Sequence, residues 1–190
     1  MNTQRFTQFL DTMDALVART SEEPTVLSEG EAALLALIAH DDWLPEQYTL
    51  PHPDKYQQYL LYADAAGRYS VQSFVWGPGQ GTPIHNHTVW GLVGVLRGAE
   101  RCQEFPVPGT RDMTCQHEHG LSKGDVDRVS PTIGDWHAVS NALADAPSIS
   151  IHVYGADIGR VTRSIWDVAT QKVKPFVSGY SNDKPWIATR

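Results

Sequence analysis

The sequence predicts a mainly β protein, a small antiparallel sandwich or barrel with helices packed on its outside. Three observations carry this. Helical spacing of apolar residues is confined to roughly the first forty positions. Beyond residue 55, short runs rich in Val, Ile, Tyr and Trp alternate with turns bearing Gly and Pro, the pattern of many short strands. No apolar run approaches the length needed to span a bilayer.

The elements follow in order. Phe6, Phe9, Leu10, Met13, Leu16 and Val17 fall on one face of a helix. Ser28 and Glu31 form a capping box ahead of "AALLALIAH", which reads as a second, short helix. Both are expected to cover a sheet. Pro45, Pro51 and Pro53 mark residues 41 to 55 as a connecting loop. Strand-like runs come next: "YSVQSFVW", "WGLVGVLRG", "RCQEF", "DRVS", "HAVSN" and "SISIHVYG". The tail from Pro175 to Arg190, with polar turns and a late Trp186, reads as an irregular flap.

Composition narrows the function classes. A chain of 190 residues, 41% hydrophobic and 19% charged, suits one soluble domain with a sizeable core. The N-terminus mixes acids among its apolar residues and lacks the continuous core and cleavage site of a signal peptide. Two cysteines, Cys102 and Cys115, argue for a reducing, cytoplasmic compartment and against a disulfide framework. A net charge of −7 without any basic stripe argues against nucleic acid as a partner, and nothing points to a membrane. Neither a phosphate-binding Gly-rich loop nor a G-x-S-x-G elbow occurs.

Histidine spacing is the richest signal. His85 and His87 sit at i and i+2, so on an extended segment both face one side and can reach one metal. His117 and His119 form a second such pair, with Cys115 two residues earlier. The wider pattern separates the pairs. Gly79, His85, His87, Gly91 and Gly98, with five, one, three and six residues between them, resemble the first motif of the cupin superfamily. After 25 further residues, Gly124, Pro131, Gly134, His137 and Asn141 resemble the second, with one extra residue on each side of the proline. The resemblance implies a small antiparallel β-barrel or jelly roll holding a metal through both motifs. It leaves His117 and His119 in the variable stretch between motifs, where they read as a solvated hairpin. The glutamate usual four residues after the second histidine is replaced by Gly91. The implied ligands are therefore His85, His87 and His137, three neutral imidazoles that leave a divalent ion its full charge.

"SISIHVYG" places Ser150, His152 and Tyr154 on one face of a strand and Ile149, Ile151 and Val153 on the other. That face is either the polar outside of a half-buried strand or a hydrogen-bond relay aimed at metal-bound ligands. Together with "WGPGQGTPIHNH" and "DWHAVSN", it is similar to the cysteine dioxygenase family, the thiol dioxygenases, from about Tyr56 to Trp166. The resemblance implies one cupin domain over 1–190, with a helical part at 1–45, a barrel at 56–167 and a tail at 168–190. It also implies Fe(II), molecular oxygen and oxidation of a small thiol to its sulfinate, with Ser150, His152 and Tyr154 as catalytic machinery.

Two departures bear on the substrate. Mammalian-type members carry a cysteine, cross-linked to the tyrosine matching Tyr154, where this chain has Gly91, so Tyr154 is expected to be a free phenol. They also clamp the substrate carboxylate with an arginine in a Tyr-x-Arg sequence. In "KYQQYLLY", alignment on Tyr56 puts Gln58 at that position, and a one-residue shift selects Gln57. Glutamine lacks the charged fork of a guanidinium. Arg163 is then the expected carboxylate anchor, with Arg160 read as a surface residue. This combination resembles the bacterial 3-mercaptopropionate dioxygenases. A cysteine or mercaptosuccinate dioxygenase stays open as an alternative, as does a small-molecule-binding cupin without catalysis.

Overall fold

The computed structural model describes residues 2–188. Helices α1 (Thr3–Arg19) and α2 (Glu23–Ile38) precede ten strands: β1 (Gln57–Ala63), β2 (Ser70–Trp76), β3 (Gly91–Arg97), β4 (Ala99–Glu104), β5 (His117–Ser122), β6 (Val126–Val129), β7 (His137–Asn141), β8 (Ser148–Tyr154), β9 (Arg163–Asp167) and β10 (Lys172–Phe176). They form a five-stranded sheet, β1-β2-β8-β3-β6, a three-stranded sheet, β5-β4-β7, and the β9–β10 hairpin, and all strand pairs are antiparallel. The architecture is mainly β with two N-terminal helices outside, as the sequence predicts.

Two apolar layers hold it together. Outside the five-stranded sheet, Phe6, Leu10 and Leu34 of the helices pack on Val71 and Val75 of β2, Leu92 and Leu96 of β3, and Ile149, Ile151 and Val153 of β8. Inside, Phe74 and Trp76 of β2 and Tyr154 of β8 share a cluster with Cys102 of β4 and Val139 of β7. Strand β8 is buried on both faces, and its alternation assigns Ile and Val to the helices and Ser, His and Tyr to the interior. Helix α2 lies close to β3. A Cβ at Gly30 would meet Leu92 at 2.9 Å, and one at Gly94 would meet Leu34 and Ile38 at 3.0 Å.

The structure corrects the start of the second helix. It begins at Glu23, one turn and more before the capping box read at Ser28 and Glu31. Pro24 sits in its first turn, where a fixed φ and a missing N–H fit without loss, and Glu23 complements the positive helix end. Ser28 therefore lies inside the helix, and the Glu31 carboxylate pairs with Arg128 instead of capping. Strands β1, β9 and β10, which the apolar pattern did not single out, are also present.

The stretch from Ser178 to Ile187 has no regular structure, but it is tied down. The Gln58 and Leu60 amides donate to Ser181 Oγ and Asn182 Oδ1 at 2.9 and 2.7 Å. Trp186 stacks on Phe6, centroids 4.9 Å apart. This tail covers the exposed edge of β1, which would otherwise present unpaired backbone groups. Positions 189 and 190 of the flap lie outside the described residues. Among the described residues, no helix is long and apolar enough to cross a membrane.

Leu34 is fully buried between α2 and the sheet, whereas its neighbour Leu35 is 38% exposed. Leu34→Ala is expected to lower unfolding free energy by about 2–5 kcal/mol. Leu35→Ala should change it by less than about 0.5 kcal/mol. Denaturant titration of both variants checks this, and equal losses would contradict the packing described.

Candidate functional site

The segment 82–90 is not a regular strand, yet its backbone is pinned on two sides. His85 and His137 exchange both backbone hydrogen bonds, at 2.9 and 3.0 Å. On the other side Asn86 N–H donates to Ser164 O at 3.1 Å, and Trp166 N–H to Ile84 O at 2.8 Å. The segment thus runs between β7 and β9. His85 and His87 share its inward face, beside His137 at the start of β7.

The three imidazoles converge. All are buried, and each pair of ring centroids is 4.8 Å apart. Each Nδ1 has a partner behind it. That of His85 faces Pro83 O at 3.1 Å, that of His87 faces Asp135 Oδ1 at 2.9 Å, and that of His137 faces Cys102 Sγ at 3.6 Å. A carbonyl and a carboxylate only accept, so the first two rings carry their proton on Nδ1. Burial, followed by their mutual repulsion, holds all three pKa values well below the usual imidazole range, so the rings are neutral. The Nε2 atoms of His85 and His87 then point lone pairs at each other across 3.2 Å. That arrangement is unfavourable unless a cation takes both. These residues fit a metal ion, and the outward partners are those that orient histidine ligands.

Asp135 was not anticipated from the sequence. It receives the backbone amides of His87 and Thr88 as well as the His87 ring, at 2.8, 2.9 and 2.9 Å. Burial pushes its carboxyl pKa up, and the two amides oppose that shift. Its place two residues before His137 is the only signal that could have revealed it.

The inward face of β8 forms a line. Ser150 Oγ is 2.8 Å from His152 Nε2, and His152 Nδ1 is 2.8 Å from the Tyr154 hydroxyl. The Tyr154 ring stacks on His87 with centroids 4.9 Å apart, so the line ends beside the imidazole cluster. Burial raises the phenol's pKa, partly offset by Arg163, and keeps it protonated. Gly91 makes room for this ring, because a Cβ there would meet it at 2.6 Å.

A cavity with about 410 Å³ of empty space, mouth included, opens on the His85 and His137 imidazoles. Its wall includes Phe74, Trp76 and Val139. Its polar groups include Tyr56, Gln58, Tyr154 and Arg163. Gln58 and not Gln57 faces it; the Gln57 amide turns back to the Lys55 and Tyr56 carbonyls. Arg163, the first residue of β9, is 5% exposed. Its guanidinium lies 4.6 Å from the Phe176 ring centroid and donates to Ser178 Oγ at 2.8 Å. Among the described residues no carboxylate pairs with it, and neither its Nε nor Gln58 Nε2 has a hydrogen-bond partner. A buried cation without a counter-ion and an orphaned amide donor in one cavity are groups whose cost an anion would relieve. Arg160 is exposed and pairs with Asp157 at 3.3 Å, away from the cavity.

His117 and His119 do not join this cluster. They begin β5; His119 bonds Asp127 at 3.1 Å and His117 is exposed. Cys115 is exposed, Cys102 is buried, and both are free.

These features define a β-barrel protein with a buried three-histidine pocket, able to hold a metal, beside a cavity lined by Arg163 and Gln58. A family model described as cysteine dioxygenase type I matches residues 32–163, and the chain belongs to that family. It is 27% identical over 107 residues to cysteine dioxygenase type 1 of Rattus norvegicus and, equally, to that of Homo sapiens, covering 53% of this chain and 53% of each relative. The chain thus spans about half the length of the curated relatives it matches. Solved structures with similar shape include a protein with a double-stranded beta-helix domain from Klebsiella pneumoniae, with TM-score 0.49, 17% identity and coverage of 63% of this chain and 95% of that one. A cupin superfamily protein from Desulfitobacterium hafniense gives TM-score 0.46 and 14% identity over 62% and 94%.

Gly91 supplies neither a sulfur for a cross-link nor space for one. Peptide mapping should find Tyr154 unmodified, with no adduct to Cys102 or Cys115. Gly91→Ala is expected to displace the Tyr154 ring and lower stability by about 1–3 kcal/mol, measured by thermal unfolding. An unchanged melting temperature would show that the ring has room to spare.

Proposed function

We propose that this protein is a non-haem iron thiol dioxygenase that converts a small mercapto-carboxylic acid to its sulfinic acid, with 3-mercaptopropionate as the preferred substrate. The observation that carries the reading is the buried, unpaired Arg163 guanidinium across one cavity from three converging imidazoles. The first calls for a carboxylate and the second for a metal. The reaction adds both atoms of dioxygen to sulfur, R–SH + O2 → R–SO2H, and needs no further reductant. Its two free cysteines support a reducing, cytoplasmic setting.

In this reading His85, His87 and His137 hold Fe(II), which would lower the thiol's pKa and supply the oxygen chemistry that no side chain here can perform. Everything else falls to the chain. Arg163 and the orphaned amide of Gln58 take the substrate carboxylate and fix the direction of its short methylene arm. Tyr154, held by His152, lines the same cavity with its phenol. Phe74, Trp76 and Val139 keep water from the reacting sulfur.

Substrate choice follows from where the cation stands. A glutamine occupies the position at which cysteine-specific relatives place arginine, so the rewarded pose differs from that of cysteine, which chelates through its amine. A substrate without the amine loses nothing. Mercaptosuccinate would need a second cation, and Arg160 faces away. A small-molecule-binding cupin without catalysis has no use for the Ser150–His152–Tyr154 line.

Purified protein is expected to carry one iron per chain. His87→Ala should abolish the binding and His119→Ala should leave it intact; metal analysis showing the reverse would overturn the ligand set. Asp135→Ala should weaken affinity by about 10–100-fold by freeing the His87 ring.

For substrate choice the measurement is kcat/KM for 3-mercaptopropionate, cysteine and mercaptosuccinate on one iron-loaded preparation. Arg163→Ala should cost about 1.5–3 kcal/mol, one to two orders of magnitude, with iron content unchanged. Cysteine winning by about tenfold or more (1.4 kcal/mol) would refute the substrate assignment.

A further inference from the structure

Strand β4 turns one carboxylate into the barrel, and nothing in the reaction above uses it. Glu100 is completely buried. No cation pairs with it among the described residues. Ser148 Oγ donates to its Oε1 at 3.3 Å, and its Oε2 has no hydrogen-bond partner. Ser150 stands beside the carboxyl close enough to act on its charge, as does the Trp76 indole, whose N–H donates to Ser150 Oγ at 3.3 Å. An unpaired buried carboxylate is expensive, so this group folds most readily in its neutral form. Desolvation accordingly pushes its pKa up to about 7, against the smaller pull of Ser150, Ser148 and Trp76.

We propose that Glu100 closes the Ser150–His152–Tyr154 line at its inner end and sets which way the Tyr154 hydroxyl points. This rests on the dioxygenase reading for its consequence, though not for its geometry. Consider the carboxyl as a neutral acid. Its O–H donates to Ser150 Oγ. The Ser150 O–H then donates to His152 Nε2. The proton of the neutral imidazole is on Nδ1 and donates to the Tyr154 oxygen. The phenol O–H is left free to point into the cavity at a bound acceptor. Now remove one proton. The carboxylate accepts from Ser150, Ser150 accepts from His152 Nε2–H, and His152 Nδ1 accepts the Tyr154 O–H. The phenol is tied back and has no proton to offer. The two states differ by one proton, lost overall from Glu100, and by the tautomer of His152. Glu100 touches no substrate and acts as a positioning residue.

The titratable groups facing it are His152 and Tyr154 from β8 and Cys102 two residues along its own strand. The other packed strands present Trp76 from β2, Leu121 from β5 and Asn141 from β7, which do not titrate. Burial holds His152 well below the usual imidazole pKa, so it changes tautomer without gaining charge. The Tyr154 phenol is pushed up and stays protonated across the same range. Glu100 is therefore the group left to switch the line near neutral pH.

The test has two arms. The first uses metal-free protein and nitrogen NMR of labelled histidine. In the wild type His152 should pass from Nδ1–H to Nε2–H as pH rises through about 7. In Glu100→Gln, whose amide donates to Ser150 at every pH, it should stay Nδ1–H. A His152 tautomer that ignores pH in the wild type, or that switches equally in Glu100→Gln, overturns the proposal even if the dioxygenase reading stands. The second arm uses iron-loaded enzyme. Wild-type kcat should fall as Glu100 ionises above pH about 7, and Glu100→Gln should flatten that fall. Glu100→Leu should lower kcat by about tenfold at all pH values with KM changed less than about twofold. An identical pH profile in wild type and Glu100→Gln would refute the role. Absence of all thiol oxidation would refute the dioxygenase reading alone, because the tautomer switch is read without metal or substrate.

Discussion

The reciprocal backbone hydrogen bonds between His85 and His137 are the constraint on which the site depends. They join two segments far apart in sequence, one irregular and one the start of β7. In doing so they set three imidazoles at equal spacing. The pair is of the narrow, doubly bonded antiparallel kind, which fixes the two Cα atoms and the direction of both Cβ bonds. With the backbone settled, the rings have only their torsions left to choose. Those are taken by Pro83 O, Asp135 and Cys102 behind them. A pocket built this way is organised by the chain's own hydrogen bonds.

Electrostatics then divides the interior in two. The imidazole side collects neutral rings and lone pairs. The cavity mouth collects one guanidinium and an orphaned amide donor. Among the described residues no carboxylate forms an ion pair with the cation, and the position that carries glutamate in many cupins is Gly91. That glycine does two things at once. It leaves the three imidazoles without a neighbouring carboxylate at this position, and it clears the space that the Tyr154 ring fills against His87. A side chain at this position would disturb both the charge balance and the stacking.

Much of this was legible in the sequence because the chemistry demands fixed spacing. The first motif's two histidines must share a face, and several motif glycines, among them Gly79, Gly98, Gly124 and Gly134, adopt positive φ that other residues resist. Period-two alternation in "SISIHVYG" likewise forecast which side chains line up, although not that the polar face is the inner one. What stayed hidden obeys weaker rules. Asp135 and Cys102 act through tertiary contacts with no fixed offset from their partners. The start of α2 differs from the sequence expectation because Ser28 and Glu31 satisfy a local capping pattern. Pro24 offered an equally good start one turn earlier, and burial of Val26 and Leu27 decided for it. Strand β1 was hidden because "QQYLLY" carries two adjacent glutamines, one turned inward to the cavity and one outward to local carbonyls.

The polar residues inside the barrel are explained best as one connected system. Strand β8 spends three inward positions on Ser, His and Tyr where hydrophobic residues would fill a core more stably. Strand β4 adds a carboxylic acid with no counter-ion. Each of these groups is disfavoured alone. Joined in a line, Ser150 and His152 satisfy each other's donors and acceptors, and the neutral form of Glu100 can supply the one donor the line lacks. A chain of such bonds is directional, since every hydroxyl and imidazole in it gives at one end and receives at the other. Its direction must be fixed at an end, and the Tyr154 end faces an open cavity. The Glu100 end faces only protein. An interior that must aim a phenol reliably is therefore best anchored at the end that lies wholly within the protein.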